Sequence, residues 1–309
     1  MTTNVTNTVI TMMILAVVGF MMKKTGKSDK RTDKFVSELM VTICTPALML
    51  HTTLTNFTIP MFLSSYKGIL IALSSMLIMV FISTTLSNIF SIKGSEKGEF
   101  IAMSSFSNTV FIGLPLITGI FGEKAVPYLM LFYIANTITF WSLGIYMLSK
   151  STGKGFNVKD LLRIFNPPII GFIIGLILLW YNISVPAYAL KSLEYLKILV
   201  TPLSLLYMGS TLADLNFSNM GSPVRTASIL ILRFVVSPVV CFLLLKLVPM
   251  PKELIQVFIV CAGLPVMTNI SIAVGKYGGK PSYSAFMTAL TSILIIFVIP
   301  IYIKLFSYI

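Results

Sequence analysis

The chain has 309 residues, of which 56% are hydrophobic and 11% are charged. Soluble globular domains carry about 25% charged residues, so this composition excludes a water-soluble fold and indicates a protein embedded in a bilayer. The net charge of +13 does not indicate a nucleic-acid partner, because the basic residues stand between apolar segments and form no face interleaved with aromatic residues.

Apolar segments long enough to form spanning helices, which need about 20 residues, follow one another along the chain. The predicted spans are residues 5–22, 35–55, 61–90, 98–121, 125–149, 167–183, 190–213, 223–247, 252–276 and 281–307. The sequence therefore predicts an all-α integral membrane protein with ten transmembrane helices. Lys23 and Lys24 follow the first apolar run instead of preceding it, which favours a retained span over a cleavable signal peptide.

The basic residues are distributed unequally between the two sides of the predicted spans. Fifteen of the 23 Lys and Arg residues fall on one side and seven on the other, while Arg233 lies within a span. Because the side richer in Lys and Arg faces the cytoplasm, we expect a multi-pass protein of the cell membrane with both termini outside.

Two short motifs recur at matching ranks in the two halves of the chain. Thr45-Pro46 in the second span matches Thr201-Pro202 in the seventh, and Gly-Leu-Pro occurs at residues 113–115 in the fourth and 263–265 in the ninth. A repeat of five spans is odd, so the second copy is inverted, as in many secondary transporters. We predict a first repeat at 1–149, a cytoplasmic linker at 150–166 and a second, inverted repeat at 167–309; coincidental matches in a simple bundle are the alternative.

The Gly-Leu-Pro motifs predict broken fourth and ninth helices near mid-membrane, at Gly113 to Pro115 and at Pro265. Proline removes a backbone hydrogen bond and clashes with the preceding turn, and glycine loosens the helix further. Unpaired backbone at that depth is tolerated where it lines a cavity, and a helix that restarts there presents amides that favour an anion. A simple kink without a ligand is the alternative.

Polar side chains near these breaks are candidates for binding a substrate. Asn108 and Thr109 precede Pro115, while Thr268, Asn269 and Ser271 follow Pro265. Their amides and hydroxyls suit a carboxylate, and hydrogen bonding between helices is the competing role.

Two ionisable residues lie within predicted spans, where such groups are costly and often functional. Arg233 in the eighth span is expected either to pair with an anionic substrate or to cap the carbonyls of a broken helix. His51 in the second span is expected either to carry a proton or to hydrogen-bond across helices.

Several functional classes are disfavoured by what the sequence lacks. All ten acidic residues lie at span ends or in loops, which disfavours coupling through a buried carboxylate. The three cysteines have no paired metal-ligand spacing, and no catalytic motif is present, so we expect neither an enzyme, nor a cofactor, nor a bound metal.

The sequence resembles the auxin efflux carrier family, which includes plant auxin carriers and bacterial carboxylate transporters. The resemblance covers nearly the whole chain, with four stretches similar to family motifs: TPALMLHTTLTNF with Pro46 and His51, SFSNTVFIGLPLITGIFG with Asn108 and Pro115, LRFVVSPVV with Arg233, and GLPVMTNISIAVGKYGG with Pro265. It implies two inverted five-helix repeats, a scaffold part and a transport part, and elevator-like alternating access with substrate held at the crossover by Asn108.

Two departures from the plant carriers argue against auxin itself as the substrate. Leu63 stands where those carriers have an aspartate four residues before a lysine, here Lys67, and their long cytoplasmic loop is absent. We therefore expect a secondary transporter of a small organic anion, either a carboxylate or an auxin-like acid, with H⁺ or Na⁺ as candidate coupling ions. Membrane lipid is an expected partner and a homodimer is left open; a sodium-coupled symporter resembling bile-acid carriers, a passive channel and a membrane sensor are the alternatives.

Overall fold

A computed structural model describes residues 2–306, with side chains from residue 6 onward. Residues 1 and 307–309, which include both termini and the end of the predicted tenth span, lie outside the described residues. Within this range the regular secondary structure is helical, apart from one isolated bridge between Ser107 and Val266. The α-helices are α1 (Thr2–Lys24), α2 (Lys30–Leu39), α3 (Thr45–Asn56), α4 (Ile59–Ser65), α5 (Lys67–Ile89), α6 (Ser95–Ser105), α7 (Leu114–Phe121), α8 (Val126–Thr139), α9 (Ile145–Thr152), α10 (Pro167–Trp180), α11 (Ala187–Ile198), α12 (Val200–Ala213), α13 (Pro223–Ile231), α14 (Ser237–Leu245), α15 (Lys252–Ala262), α16 (Asn269–Tyr277) and α17 (Pro281–Leu305).

Seven helical segments in the described range are long and apolar enough to cross a membrane, and an eighth is added if one bent pair is a single span. The seven are Thr6–Lys24, Lys30–Asn56, Ile59–Ile89, Glu123–Thr152, Ala187–Ala213, Pro223–Leu245 and Pro281–Leu305. The bent pair joins Val158–Ile164 to α10 at 52°. The predicted fourth and ninth spans each consist of helical pieces separated by a non-helical stretch, and neither is continuous enough to count as one helix. A multi-pass membrane protein is confirmed, whereas the number ten stays a prediction.

Short π-helical segments adjoin three of the prolines within the spans. Met40–Cys44, Thr109–Gly113 and Leu232–Val236 each end two residues before a proline, at Pro46, Pro115 and Pro238. Proline lacks an N–H and its ring clashes with the carbonyl four residues earlier, so a wider turn lets the helix continue. These prolines therefore modify their helices without ending them.

The contacts divide the chain into two units, each built from three segments. Unit 1 comprises Met1–Tyr66, Val110–Met130 and Phe165–Asp214, and unit 2 comprises Lys67–Thr109, Leu131–Ile164 and Leu215–Ile309. The two units are defined by contacts between residues, whereas the predicted domains are repeats along the sequence. The units therefore do not test the repeat boundaries, which stay predictions.

Unit 1 is held by close helix pairs, α1 with α12 and α3 with α10. Gly209 allows the close approach of α1 and α12, because a Cβ at this position would overlap the carbonyl oxygen of Ala16.

The carboxylate of Asp33 joins three elements at one end of this unit. It pairs with Lys23 and accepts hydrogen bonds from Ser28 at 3.0 Å and from Ser210 at 2.5 Å.

Unit 2 contains α5, α6, α9 and the helices from α13 to α17, together with most of α8. Helix α6 packs against α5 and α9, and α14 packs against α5 and α15. A continuous apolar core that includes Phe100, Phe106 and Phe140 lies among these helices. This packing holds the two non-helical stretches at the centre of the candidate site.

Candidate functional site

The two helix breaks of unit 2 are bonded to each other through their backbones. After α6 ends at Ser105 the chain is non-helical at residues 106–108, and between α15 and α16 it is non-helical at residues 263–268. The N–H of Asn108 donates to the carbonyl of Pro265 at 2.9 Å, and the N–H of Met267 donates to the carbonyl of Phe106 at 3.3 Å. We call these two stretches the crossover; their pairing satisfies backbone groups that would otherwise be exposed at membrane depth.

Asn136 of α8 fixes the first stretch of the crossover. Its side chain accepts from the N–H of Ser107 at 3.0 Å and donates to the carbonyl of the same residue at 3.0 Å. Asn136 is fully buried, so its amide replaces the two hydrogen bonds that Ser107 would make within a helix. Such a contact requires a side chain with both a donor and an acceptor, which asparagine supplies.

Arg233 fixes the second stretch of the crossover. Its Nε and Nη2 donate to the carbonyl of Leu264 at 3.1 and 2.5 Å, and Nη2 also approaches the carbonyl of Ala262 at 3.0 Å. Nη2 further donates to the hydroxyl of Ser107 at 2.6 Å, so one guanidinium joins both stretches. This geometry corresponds to the carbonyl-capping alternative considered from the sequence.

The charge of Arg233 is not balanced by a neighbouring carboxylate in the described residues. The side chain is fully buried, none of the ion pairs includes it, and its Nη1 has no hydrogen-bond partner in that part of the chain. A buried cation is costly unless an anion or several dipoles compensate it. The crossover is therefore an electropositive site with one buried donor left unsatisfied.

The predicted polar residues Asn108, Thr109 and Asn269 all lie at the crossover, but they differ in how far their side chains are already hydrogen-bonded. The Asn108 side chain is buried and donates from Nδ2 to the hydroxyl of Thr268 at 2.9 Å, which links the two stretches once more. Thr109 is buried beside it, with its N–H donating to the carbonyl of Ser107 at 3.0 Å. Asn269 begins α16, is half-buried, and makes no side-chain hydrogen bond within the described range, so its amide is available to a ligand.

The first break lies earlier than the sequence predicts. Gly113 and Pro115 belong to a continuous helical run, Thr109–Gly113 followed by α7, and the chain leaves the helix at residues 106–108 instead. Proline early in a helical segment is tolerated, and the π turn before it accommodates the ring. The prediction of a break at residues 113–115 is thus wrong in position, whereas the second break does include Pro265.

Three of the predicted site residues lie in unit 1. Gly113 and Pro115 follow the chain passage out of unit 2 at Thr109, and His51 lies in α3. His51 is buried, with the hydroxyl of Thr55 3.5 Å from its Nδ1 and 2.9 Å from its backbone carbonyl. A role for these residues in binding stays a prediction.

Asn136, Ser107 and Thr291 belong to the crossover but were not predicted from the sequence. Thr291 of α17 accepts at its hydroxyl from the N–H of Val266 at 3.1 Å, and so satisfies a further backbone group of the crossover. Of these three residues, Asn136 could have been recognised from the sequence, because an amide side chain within an apolar span needs a hydrogen-bond partner. The described residues contain no group of His, Cys, Asp or Glu that could hold a metal ion.

Comparison with known proteins identifies relatives of this chain. Residues 4–303 match the profile of a family described as membrane transport protein. An uncharacterized transporter of Methanocaldococcus jannaschii is 26% identical over 249 residues, which cover 78% of this chain and 79% of the relative. An uncharacterized transporter of Methanothermobacter thermautotrophicus is 24% identical over 245 residues, which cover 75% and 76% of the two chains.

Proposed function

Because the chain belongs to the membrane transport protein family, a family of transporters and not of enzymes, we propose that it is a secondary transporter of a small organic anion. It works in the cell membrane by elevator-like alternating access, and the crossover of unit 2 holds the substrate. The observation that carries this proposal is the buried guanidinium of Arg233 at the crossover, without a carboxylate partner among the described residues.

An anionic substrate is favoured by the electrostatics of this site. Nearby carbonyl oxygens compensate Arg233 only in part, because each carries a fractional negative charge. The first residues of α16 follow the second break and add the positive end of a helix dipole. A carboxylate would complete this arrangement, whereas a cation would be repelled.

Two asparagines are proposed to contact the substrate directly. The amide of Asn269 is available at the start of α16, and Asn108 is bonded to the same stretch through Thr268. Amide groups donate to carboxylate oxygens without adding charge, which suits a site where the substrate must also leave.

The inverted repeat and the elevator motion are supported by the composition of the two units. The first, second, sixth and seventh predicted spans lie in unit 1, while the eighth, ninth and tenth and most of the third and fifth lie in unit 2; the fourth is divided between the units after Thr109. Four of the five predicted repeat pairs thus fall wholly or mostly in one unit, and the pair of the fourth and ninth spans does not. We propose that unit 2 is the transport part, which carries the crossover as one body, and that unit 1 is the scaffold part.

The first experiment measures binding to the detergent-purified protein. We expect a small carboxylate or an indole acid from a panel to raise the temperature of unfolding, because a ligand that binds only the folded state stabilises it. We expect Asn108→Ala to abolish this shift while the variant remains folded. Asn88→Ala is the matched control, since Asn88 lies in unit 2 and accepts from Lys97 at 2.6 Å, in a contact that does not involve the crossover. An unchanged affinity in purified Asn108→Ala would overturn the site assignment.

The second experiment measures transport in proteoliposomes. We expect saturable uptake and counterflow of the anion that binds. Non-saturable flux without counterflow would establish a channel, and an absolute requirement for sodium would establish the sodium-coupled symporter instead.

A further inference from the structure

A polar cavity lies within unit 2, outside the crossover. Its volume is about 580 Å³, within the range of small-molecule sites. It is lined by the loop after α5 and by the starts of α6, α13 and α17. Arg225 lines the cavity and lies eight residues before Arg233, so at 1.5 Å per residue the cavity lies about 12 Å along the helix from the crossover.

Three cations and one carboxylate line this cavity. Nη1 of Arg225 lies 2.8 Å from Oε2 of Glu96, and Nζ of Lys280 lies 3.3 Å from Oε1 of the same carboxylate. Lys93 is exposed at the cavity and makes no ion pair with the described residues. One carboxylate is therefore shared by two cations, and the groups that line the cavity carry a net charge of about +2. A second carboxylate, Glu99, is buried beside the cavity and accepts from the backbone N–H of Lys280 at 2.8 Å; even when it is ionised, the net charge stays positive.

Arg225 is packed closely but leaves one donor unsatisfied. It is only 7% exposed, and its guanidinium lies 4.1 Å from the ring centroid of Tyr283, whose hydroxyl is 3.1 Å from that of Thr226. Its Nε is buried without a hydrogen-bond partner in the described part of the chain. An orphaned donor on a buried guanidinium is costly, and an acceptor in the cavity would remove the cost.

The helix starts at this cavity add positive potential. Ser222 precedes α13 and Lys280 precedes α17, and neither caps its helix through its side chain. Each helix begins with a proline, which has no N–H, and the N–H of Tyr283 bonds to the carbonyl of Lys280. The backbone donors at the cavity wall are therefore those of Val224 and Arg225 in α13 and of Ser282 in α17.

We propose that this cavity binds a phosphate group, recognised by Arg225, Lys93 and Lys280. The planar guanidinium and the flexible lysines match tetrahedral phosphate oxygens in charge and geometry. The phosphate belongs either to the headgroup of an anionic lipid or to a soluble anion, and the two sources share this chemistry. The site is separate from the crossover and does not depend on the proposed function.

The test uses the full chain in phosphatidylcholine nanodiscs. One arm adds inorganic phosphate at constant ionic strength, with potassium chloride as the reference, and measures binding of radiolabelled phosphate by equilibrium dialysis. The other arm replaces part of the phosphatidylcholine with phosphatidylglycerol. Both arms also record the temperature of unfolding. A response to phosphate identifies a soluble source, and a response to phosphatidylglycerol alone identifies a headgroup.

Lys93→Gln is the principal variant, because Lys93 is exposed and its loss leaves no partner unsatisfied. We expect this variant to bind the ligand that gives a response about tenfold more weakly, which corresponds to the loss of one charged hydrogen bond. Lys97→Gln is the matched control, since Lys97 lies four residues away outside the cavity and donates to Asn88 at 2.6 Å; we expect it to bind as the wild type does. We expect the Arg225→Gln variant, if it is folded, to show no binding of that ligand.

Two results would overturn the proposal. One is the absence of any response to both phosphate and phosphatidylglycerol in the wild type. The other is an equal loss in Lys93→Gln and Lys97→Gln, which would indicate attraction by surface charge in general.

Discussion

The hydroxyl of Tyr302 donates a hydrogen bond of 2.6 Å to the carbonyl oxygen of Phe234. Phe234 lies four residues before Pro238, so its carbonyl is the one whose helical partner that proline removes. Tyr302 therefore replaces a lost helical hydrogen bond within unit 2, next to Arg233. The close approach of its ring also requires Gly263, because a Cβ there would contact the Tyr302 hydroxyl.

Tyr302→Phe removes this hydrogen bond and leaves the shape of the side chain intact. We expect the free energy of unfolding to fall by about 1 kcal/mol, because a buried carbonyl loses its donor while membrane hydrogen bonds are individually modest. Unfolding of the purified protein by sodium dodecyl sulfate in mixed micelles measures this change. Tyr195→Phe, at an exposed tyrosine of α11, is the control, and a similar loss there would contradict the explanation.

Asn136→Ala removes both hydrogen bonds to the backbone of Ser107. We expect a loss of at least about 2 kcal/mol in the free energy of unfolding, because two buried backbone groups become unsatisfied. We also expect weaker substrate binding, since residues 106–108 lose their anchor. Thr139→Ala on the same helix is the matched control, because its buried hydroxyl bonds only to the carbonyl of Ala135 within that helix, at 2.8 Å. Full substrate affinity in a folded Asn136→Ala protein would show that the anchor is dispensable.

Substitutions of Arg233 separate its charge from its hydrogen-bonding geometry. Arg233→Lys retains the charge but loses the fork that reaches Leu264 and Ser107, so we expect lower stability with preference for anions retained. Arg233→Gln removes the charge, so we expect the affinity for anions to fall more than the affinity for neutral analogues. Binding titrations with an acid and its amide measure the difference.

The control for the Arg233 variants is Arg163→Gln, at a partly exposed arginine of unit 2 that pairs with Asp160 at 3.4 Å. Equal weakening of the acid and the amide in Arg233→Gln would mark Arg233 as purely structural.

Gly209→Ala tests the close packing of α1 and α12 in unit 1. The added Cβ overlaps the carbonyl oxygen of Ala16, so the helices must separate, and overpacking of this kind costs about 1–3 kcal/mol. The temperature of unfolding should fall. Gly155→Ala should leave it unchanged, because no atom lies within 4 Å of a Cβ at that position. A fall of the same size in both variants would rule out the packing explanation.

Composition and hydropathy alone determined that this is a multi-pass helical membrane protein, and the quoted motifs predicted its family correctly. These properties are local or cumulative: twenty apolar residues require a bilayer wherever they occur, and a proline disturbs its own helix. The second break, residues 263–268, was found for the same reason, from the Gly-Leu-Pro motif at its start.

Only the tertiary structure decided where the first break lies and what holds it. Pro115 disturbs its helix wherever that helix lies, but a π turn absorbs the disturbance. The chain opens instead at Ser107, because Asn136 and the stretch around Pro265 supply hydrogen bonds there from residues distant in sequence. Arg233 was recognised as costly from its position alone, but only the fold shows that its guanidinium bonds to the carbonyl of Leu264, 31 residues away. Backbone groups at membrane depth must be satisfied, and only the packed fold determines which side chains reach them.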